Sequence, residues 1–334
     1  MSIYKLPDAA LAGYHLAPPV TFFALPAGIN NTIVGVHTGA GDYVWKTYET
    51  GFAPETIRAE HRVLHWLASQ ACSFAVPAPV LTRAGDSLCI TPEGTKALFP
   101  LLPGSQPDRL DPQHIEAVGA ALGELHMILS RYPEQPFARL PKYGQLDQIH
   151  PRIPDPGNLT PQQLGLPGTE TEVELCAWWR DQIRELQGFL EETYELLPCQ
   201  VVHGDFDPSN TLYRDGRITA ILDFEMVSWD TRAIDVASGL KFSMCTWEQD
   251  DPWTMGRSFY RGYNRWISLT DAEVHSMRTL LLLRDVTATI WWLGRDRATG
   301  KQPVRLQRIH DLRLSATWLE AHSAQLENML RISF

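Results

Sequence analysis

Three polar residues in the second half of the chain have types and a spacing that suit chemistry on phosphate. Asp205 follows His203-Gly204, Asn210 lies five residues further on, and Asp223 lies thirteen residues after Asn210. Amide and carboxylate oxygens are ligands that Mg²⁺ favours, and a further carboxylate can receive the proton of an attacking hydroxyl. Phosphoryl transfer requires chiefly metal charge and an oriented nucleophile. The pattern therefore predicts that Asn210 and Asp223 bind magnesium and that Asp205 is the catalytic carboxylate.

A β-hairpin is expected to bring these side chains together. Asp215-Gly216 separates the apolar runs TLY and ITAILDF and is a strong signal for a two-residue turn. Counting outward from this turn places Asn210 opposite Ile221. Because side chains alternate between the two faces of a strand, Asp223 is predicted to share a face with Ile221 and hence with Asn210.

Two motifs in this stretch carry a resemblance to a known family. They are His203-Gly204-Asp205-x-x-x-x-Asn210 and Ile221-Leu222-Asp223-Phe224-Glu225. Together they strongly resemble the aminoglycoside phosphotransferase/choline kinase superfamily, which shares the protein-kinase fold. The resemblance implies that Asp205 is the catalytic base or orienter and that Asn210 and Asp223 hold magnesium. It also implies that Asp235 ties down the catalytic loop.

Features nearer the N-terminus extend the resemblance over nearly the whole chain. The turn Gly28-Ile29-Asn30-Asn31 resembles the family's phosphate-covering turn, which implies that Gly28, Asn30 and Asn31 contact the nucleotide. Lys46 matches the strand lysine that reaches the phosphates, and Glu60 matches the helix glutamate that pairs with it. The segments GINNTIVGV, YVWKTYE and VGAALGELH are particularly similar to the homoserine-kinase-like branch. The implied cofactors are ATP and Mg²⁺.

The local patterns of the N-terminal part agree with the small lobe of such a fold. VTFFALP, NTIVGVHT and YVWKTYE are predicted strands, and residues 54–70 a predicted helix. VPAPVLTR and SLCITP are two further strand candidates. Residues 97–108 contain the Pro and Gly of a connection. We expect an N-terminal nucleotide-binding lobe over residues 1–96 and a hinge over 97–104.

Helical periodicity dominates the rest of the chain. Predicted helices cover residues 114–130 and 171–197 and most of the chain from about 250 onward. Thr270 and Glu273 form a capping box at the start of the strongest of these helices. The expected fold is therefore α+β and bilobal, protein-kinase-like, with a helical C-terminal lobe over 105–334 that carries the catalytic loop and the substrate site.

Composition narrows the partners and the compartment. The 334 residues carry a formal net charge of −10 and no dense Lys/Arg run, which argues against nucleic acid as a partner. No apolar run approaches the roughly 18 residues of a membrane span, and the N-terminus lacks the pattern of a signal peptide. None of the five cysteines forms a C-x-x-C pair. Free thiols in a cytoplasmic protein without a membrane partner are expected.

Two other classes of protein compete with a small-molecule kinase. In a protein kinase a long activation segment and an Ala-Pro-Glu motif would follow Asp223, but Asp235 comes only twelve residues later and the motif is missing. The second alternative is a nucleotide-binding pseudokinase without turnover. The presence of Lys46, Asp205 and Asn210 together with Asp223 favours an enzyme.

The sequence does not identify the acceptor substrate. Homoserine or a related amino alcohol is the first choice, and aminoglycosides, choline, ethanolamine and sugars are alternatives. ATP and GTP are not distinguished, nor is the oligomeric state. Several aromatic and acidic residues could form a box for a cationic acceptor, although their helical spacing favours core positions: Trp247, Trp253, Tyr260, Tyr263, Trp291 and Trp292, with Glu248, Asp250 and Asp251.

Overall fold

The computed structural model describes residues 8–26, 31–48, 51–106, 111–135, 137, 140–244, 251–299 and 302–331. Contacts between Cα atoms divide the chain into two compact units. The first comprises Met1–Arg109 with Ser209–Glu225, and the second comprises Leu110–Pro208 with Met226–Phe334. The lobe boundaries expected from the sequence, 1–96, 97–104 and 105–334, stay a prediction.

An antiparallel sheet forms the centre of the first unit. Its strands are β1 (Thr21–Phe23), β2 (Asn31–Thr38), β3 (Gly41–Tyr48), β4 (Cys89–Thr91) and β5 (Gly94–Pro100), in the order β1-β2-β3-β5-β4. A short helix α1 (Asp8–Leu11) precedes the sheet, and helix α2 (Pro54–Ala68) follows β3. Trp45 of β3 is buried against Tyr14, with the two rings edge to face. The predicted strands at NTIVGVHT and YVWKTYE and the predicted helix at 54–70 are therefore confirmed.

Two sequence-based predictions in this unit are wrong. The segment VPAPVLTR forms no strand, because Pro77 and Pro79 have no N–H to donate to a ladder. The predicted connection at 97–108 begins with strand instead. Ala97, Leu98 and Phe99 belong to β5 and are buried, and Val44 of β3 pairs with Phe99. The prolines that suggested a connection lie at and beyond the end of this strand.

The predicted hairpin is present in the first unit, but its register differs from the prediction. Strands β7 (Thr211–Arg214) and β8 (Arg217–Ile221) flank the Asp215-Gly216 turn, where both residues have positive φ. A register shift between Leu212 and Tyr213 makes Thr211, not Asn210, the partner of Ile221. Such a bulge inserts one residue into a strand and exchanges the faces beyond it.

Helices make up most of the second unit, so the α+β class is confirmed. They are α3 (Pro112–Leu129), α4 (Glu170–Glu192), α5 (Arg232–Met244), α6 (Pro252–Tyr263), α7 (Asp271–Thr299), α8 (Gln302–Ala321) and α9 (Ser323–Arg331). Strands β6 (Cys199–Val202) and β9 (Ser228–Thr231) pair with each other. The capping box before α7 is confirmed, since Thr270 N donates to Glu273 Oε2 at 2.8 Å and Glu273 N donates to Thr270 Oγ1 at 3.2 Å.

Several of the aromatic residues proposed for a cation box belong to the core. Tyr260 and Tyr263 are buried on α6, and Tyr263 packs edge to face on His126. Trp247, Glu248 and Asp250 lie outside the described residues. Among the described helices, none is both long and apolar enough to cross a membrane.

Candidate active site

A buried lysine on the central strand of the first unit faces two carboxylates of the hairpin segment. Lys46 lies on β3, and its side chain is 13% exposed. Its Nζ lies 3.4 Å from Asp223 Oδ1 and 3.5 Å from Glu225 Oε2. Burial lowers the pKa of Lys46, but the charges of Asp223, Glu60 and Glu225 outweigh burial and raise it above the usual value. The arrangement thus keeps a cation beside carboxylates, as a site for anionic phosphate and metal requires.

Glu225 organises this cluster although the sequence reasoning gave it no role. It is 2% exposed, and its Oε2 accepts a hydrogen bond from Asn31 Nδ2 at 2.6 Å. Asn31 was expected to contact the nucleotide, and its amide joins β2 to the hairpin segment through Glu225. The available signal was the position of Glu225 at the end of the Ile221–Glu225 motif. Gly28 and Asn30, the other predicted residues of this turn, lie outside the described residues.

A backbone hydrogen bond joins the two segments that carry the predicted magnesium ligands. Asn210 ends a 3-10 turn before β7, and its carbonyl accepts a hydrogen bond from Leu222 N at 2.8 Å. Asp223 comes directly after Leu222, with φ of 60°, and its side chain is 40% exposed. Because the backbone at Asp223 is left-handed, the alternation of side chains along β8 does not continue to this residue. The prediction that strand alternation places Asp223 and Asn210 on one face was therefore wrong. The donor set, one amide and one carboxylate, fits a hard cation.

Glu60 lies where it acts electrostatically on Lys46. It is on α2 and 2% exposed, and its negative charge contributes to the raised pKa of Lys46. The ion pair expected between Glu60 and Lys46 stays a prediction, whereas the Lys46 contacts with Asp223 and Glu225 are direct.

In the second unit, a buried aspartate fixes the loop that carries Asp205. Asp235 on α5 is 1% exposed and accepts hydrogen bonds from His203 N at 2.7 Å and Gly204 N at 2.8 Å. His126 Nε2 lies 3.1 Å from the same carboxylate. Gly204 has φ of +83°, and a Cβ there would lie 2.1 Å from the Met226 carbonyl oxygen. Only glycine fits this position, so the loop before Asp205 has one well-defined path.

Two residues that the sequence did not single out interact with Asp205 or with the loop that carries it. The Tyr143 hydroxyl donates a hydrogen bond to the carbonyl of Gly204, the residue before Asp205. Burial raises the pKa of Tyr143, and the Asp205 charge raises it further. Arg284 on α7 is 13% exposed; burial lowers the pKa of its guanidinium, but the charges of Asp285, Tyr143 and Asp205 raise it more. Tyr143 lies in a Pro/Gly-rich stretch without periodicity, which explains why no sequence signal marked it.

Among the described residues, no group of three or more His, Cys, Asp or Glu side chains could hold a metal ion. Kinase magnesium is typically bound through one or two carboxylates together with substrate phosphates, so the Asn210 and Asp223 pair does not need such a group. The two sites therefore differ in character: a lysine with carboxylates in the first unit, and a tightly held Asp205 loop in the second.

An α+β fold with a strand lysine paired to a hairpin aspartate, together with a loop aspartate fixed by a buried partner, defines a protein-kinase-like phosphotransferase. A sequence profile of the phosphotransferase enzyme family matches residues 22–280. The chain belongs to this family. It is a small-molecule kinase that acts on a hydroxyl group.

Relatives and solved structures agree with this assignment. The chain is 27% identical over 296 residues to a homoserine kinase of Granulibacter bethesdensis, covering 84% of each chain, and 27% identical over 270 residues to one of a Caulobacter species, covering 79% and 78%. An amicoumacin kinase in complex with AMP-PNP, Ca²⁺ and amicoumacin has a TM-score of 0.68 at 17% identity, covering 91% and 92%. A microcompartment-associated aminopropanol kinase has the same TM-score and identity, covering 97% and 98%. These structures confirm the protein-kinase-like fold.

Proposed function

We propose that this protein transfers the γ-phosphoryl group of ATP, with Mg²⁺, to the hydroxyl of homoserine or a related amino alcohol. The observation that carries the phosphoryl-transfer part is the buried Lys46 beside Asp223 and Glu225. The acceptor is supported by the relatives named homoserine kinase, which the chain matches over most of its length. The structure of an amicoumacin kinase with an ATP analogue supports ATP as the donor.

The first unit is proposed to bind the nucleotide. Lys46 contacts the phosphates, Glu60 supports its charge, and Gly28, Asn30 and Asn31 cover the phosphate groups. Asn210 and Asp223 would hold Mg²⁺, which when bound would neutralise charge on the phosphate oxygens. The 40% exposure of the Asp223 side chain leaves its carboxylate accessible for this role.

Asp205 in the second unit is proposed as the catalytic residue. The acceptor oxygen attacks the γ-phosphorus, ADP leaves, and the hydroxyl proton passes to the Asp205 carboxylate. The hydrogen bonds from His203 N and Gly204 N to Asp235 support this proposal, because they fix the backbone next to Asp205. A fixed carboxylate loses little entropy in orienting the hydroxyl.

We also propose that the reaction takes place in the cytoplasm. The four cysteines in the described ranges, Cys72, Cys89, Cys176 and Cys199, are all free thiols. Unpaired cysteines are typical of a reducing compartment such as the cytosol.

The experiment that tests this function is a coupled assay of nucleoside diphosphate release with Mg²⁺, in which ATP yields ADP and GTP yields GDP. Homoserine is compared with choline, ethanolamine, sugars and aminoglycosides, and reactions without acceptor give the background. Phosphorus NMR of the product identifies the phosphomonoester. We expect ADP release that depends on both Mg²⁺ and homoserine. Nucleotide binding without acceptor-dependent ADP release for any compound would instead support the pseudokinase alternative.

A further inference from the structure

Helix α7, which carries Arg284, is joined through Tyr143 to the loop that carries Asp205. Thr287 Oγ1, one turn further along α7, donates a hydrogen bond to the Tyr143 carbonyl at 3.3 Å. The Tyr143 hydroxyl in turn donates to the carbonyl of Gly204. The charge of Asp205 also acts on the Arg284 guanidinium. This turn of α7 is therefore linked through Tyr143 to the loop that carries Asp205, the residue proposed to take the proton of the acceptor hydroxyl.

The guanidinium of Arg284 packs on an aromatic ring, and one of its nitrogens donates a hydrogen bond within the described part of the chain. It lies over the Phe242 ring of α5, 4.3 Å from the ring centre, and its Nη1 donates to Asp285 Oδ1 at 3.3 Å. Within the part of the chain that the structure describes, no acceptor lies at its Nε or Nη2. Because the side chain is 13% exposed, these donors are largely, but not completely, removed from water.

Asp285 does not depend on Arg284 for its neutralisation. Its Oδ2 accepts a hydrogen bond from Lys241 Nζ at 2.7 Å and another from Ser315 Oγ at 2.9 Å. Asp285 therefore keeps a cationic partner when Arg284 binds another anion. The edge of the planar guanidinium that carries Nε and Nη2 suits an anionic group with two oxygens.

We propose that Arg284 binds the carboxylate of the acceptor and so selects hydroxy amino acids over plain amino alcohols. This inference rests on the proposed function and assigns the group that recognises the substrate. The hydroxyl of homoserine faces Asp205, and its carboxylate, at the other end of a short carbon chain, meets the free donors of Arg284. An amino alcohol without a carboxylate leaves those donors unpaired in a nearly buried site, which costs affinity.

The test compares homoserine with 3-aminopropan-1-ol, which has the same chain, hydroxyl and amine but no carboxylate. In the wild-type protein, kcat/KM should favour homoserine. The substitution Arg284→Gln should lower that preference by about 10- to 100-fold, the range for hydrogen bonds to charged groups, mainly through KM for homoserine. The rate with 3-aminopropan-1-ol should change little. Arg278→Gln is the matched control, because Arg278 lies on the same helix and pairs with Glu185 and Glu320 at the surface.

An equal fall for both acceptors, or an unchanged preference, would overturn the role of Arg284 and leave phosphoryl transfer intact. The same holds if the wild-type protein uses only hydroxyl compounds without a carboxylate. Absence of ADP release with every acceptor would contradict the proposed function itself. Calorimetric titration with homoserine measures binding without turnover and should show the same loss in Arg284→Gln. If that variant does not fold, the acceptor preference of Arg284→Lys, which keeps the charge but not the planar fork, decides the question in the same way.

Discussion

Replacement of Asp235 by asparagine tests how the Asp205 loop is held. The carboxylate of Asp235 accepts hydrogen bonds from the backbone of His203 and Gly204, and His126 lies within hydrogen-bond distance. Asparagine has one acceptor oxygen and one NH₂ group. If its oxygen takes the place of Oδ2, the NH₂ group meets the Gly204 N–H, and a buried donor loses its acceptor.

The magnitude follows from the burial of this cluster. A buried polar group left without a partner costs about 1–3 kcal/mol, and more where the partner was charged. Since Asp235 is 1% exposed, water cannot replace the lost acceptor, and we expect the free energy of unfolding to fall by about 2–4 kcal/mol. The loop should also shift, and a displacement of about 1 Å at Asp205 lowers turnover by about 10²-fold.

Urea denaturation measures the first effect, and ADP release with saturating acceptor measures the second. Asp181→Asn is the control, because Asp181 is 67% exposed and pairs with Arg184 on the surface of α4. That change should cost less than about 1 kcal/mol. An Asp235→Asn protein with the wild-type urea midpoint and turnover would refute the role assigned to Asp235.

Three further changes have defined outcomes. Lys46→Met should weaken ATP binding in a calorimetric titration and lower turnover by about 10²-fold, because a buried cation at the phosphates is lost; unchanged ATP affinity would contradict its placement. Burial raises the pKa of Asp230 from 3.8 to about 6, so folding takes up a proton and the free energy of unfolding should fall as pH rises from about 4 through 6. Asp230→Asn should flatten that dependence in urea melts at several pH values, and an identical slope would argue against it. Gly119→Ala would place a Cβ 1.9 Å from the Phe259 carbonyl oxygen of α6; we expect a loss of about 1–3 kcal/mol in thermal unfolding, and no loss would contradict the close packing of α3 on α6.

The sequence predicted those elements whose signals are local. The Asp215-Gly216 turn located the hairpin, and Thr270 with Glu273 located the start of α7, because turn and capping chemistry depends on neighbouring residues. The register shift at Leu212 and Tyr213 could not be read, since a bulge leaves no mark in an alternating pattern. Strand β5 was missed for the opposite reason, because the prolines at its end gave a stronger signal than its buried residues.

In the candidate site, too, the residues with local sequence signals were predicted and those without such signals were not. Lys46, Asp205 and Asp223 were predicted from motifs, each of which is short and continuous in sequence. Glu225 and Arg284 were not singled out, because their importance depends on residues far away in the chain: Glu225 accepts a hydrogen bond from Asn31, and Asp205 acts electrostatically on Arg284. Charges that meet only after folding cannot be paired from one sequence.

The role of Asp205 in phosphoryl transfer is tested most directly by Asp205→Asn, with Asp207→Asn in the same loop as the matched control. Turnover with ATP, Mg²⁺ and homoserine is measured together with the affinity for ATP. An amide cannot take the hydroxyl proton, so we expect turnover of Asp205→Asn to fall by about 10²–10⁴-fold while ATP affinity and the Asp207→Asn rate stay close to wild type. Wild-type turnover by a purified Asp205→Asn protein would contradict this account.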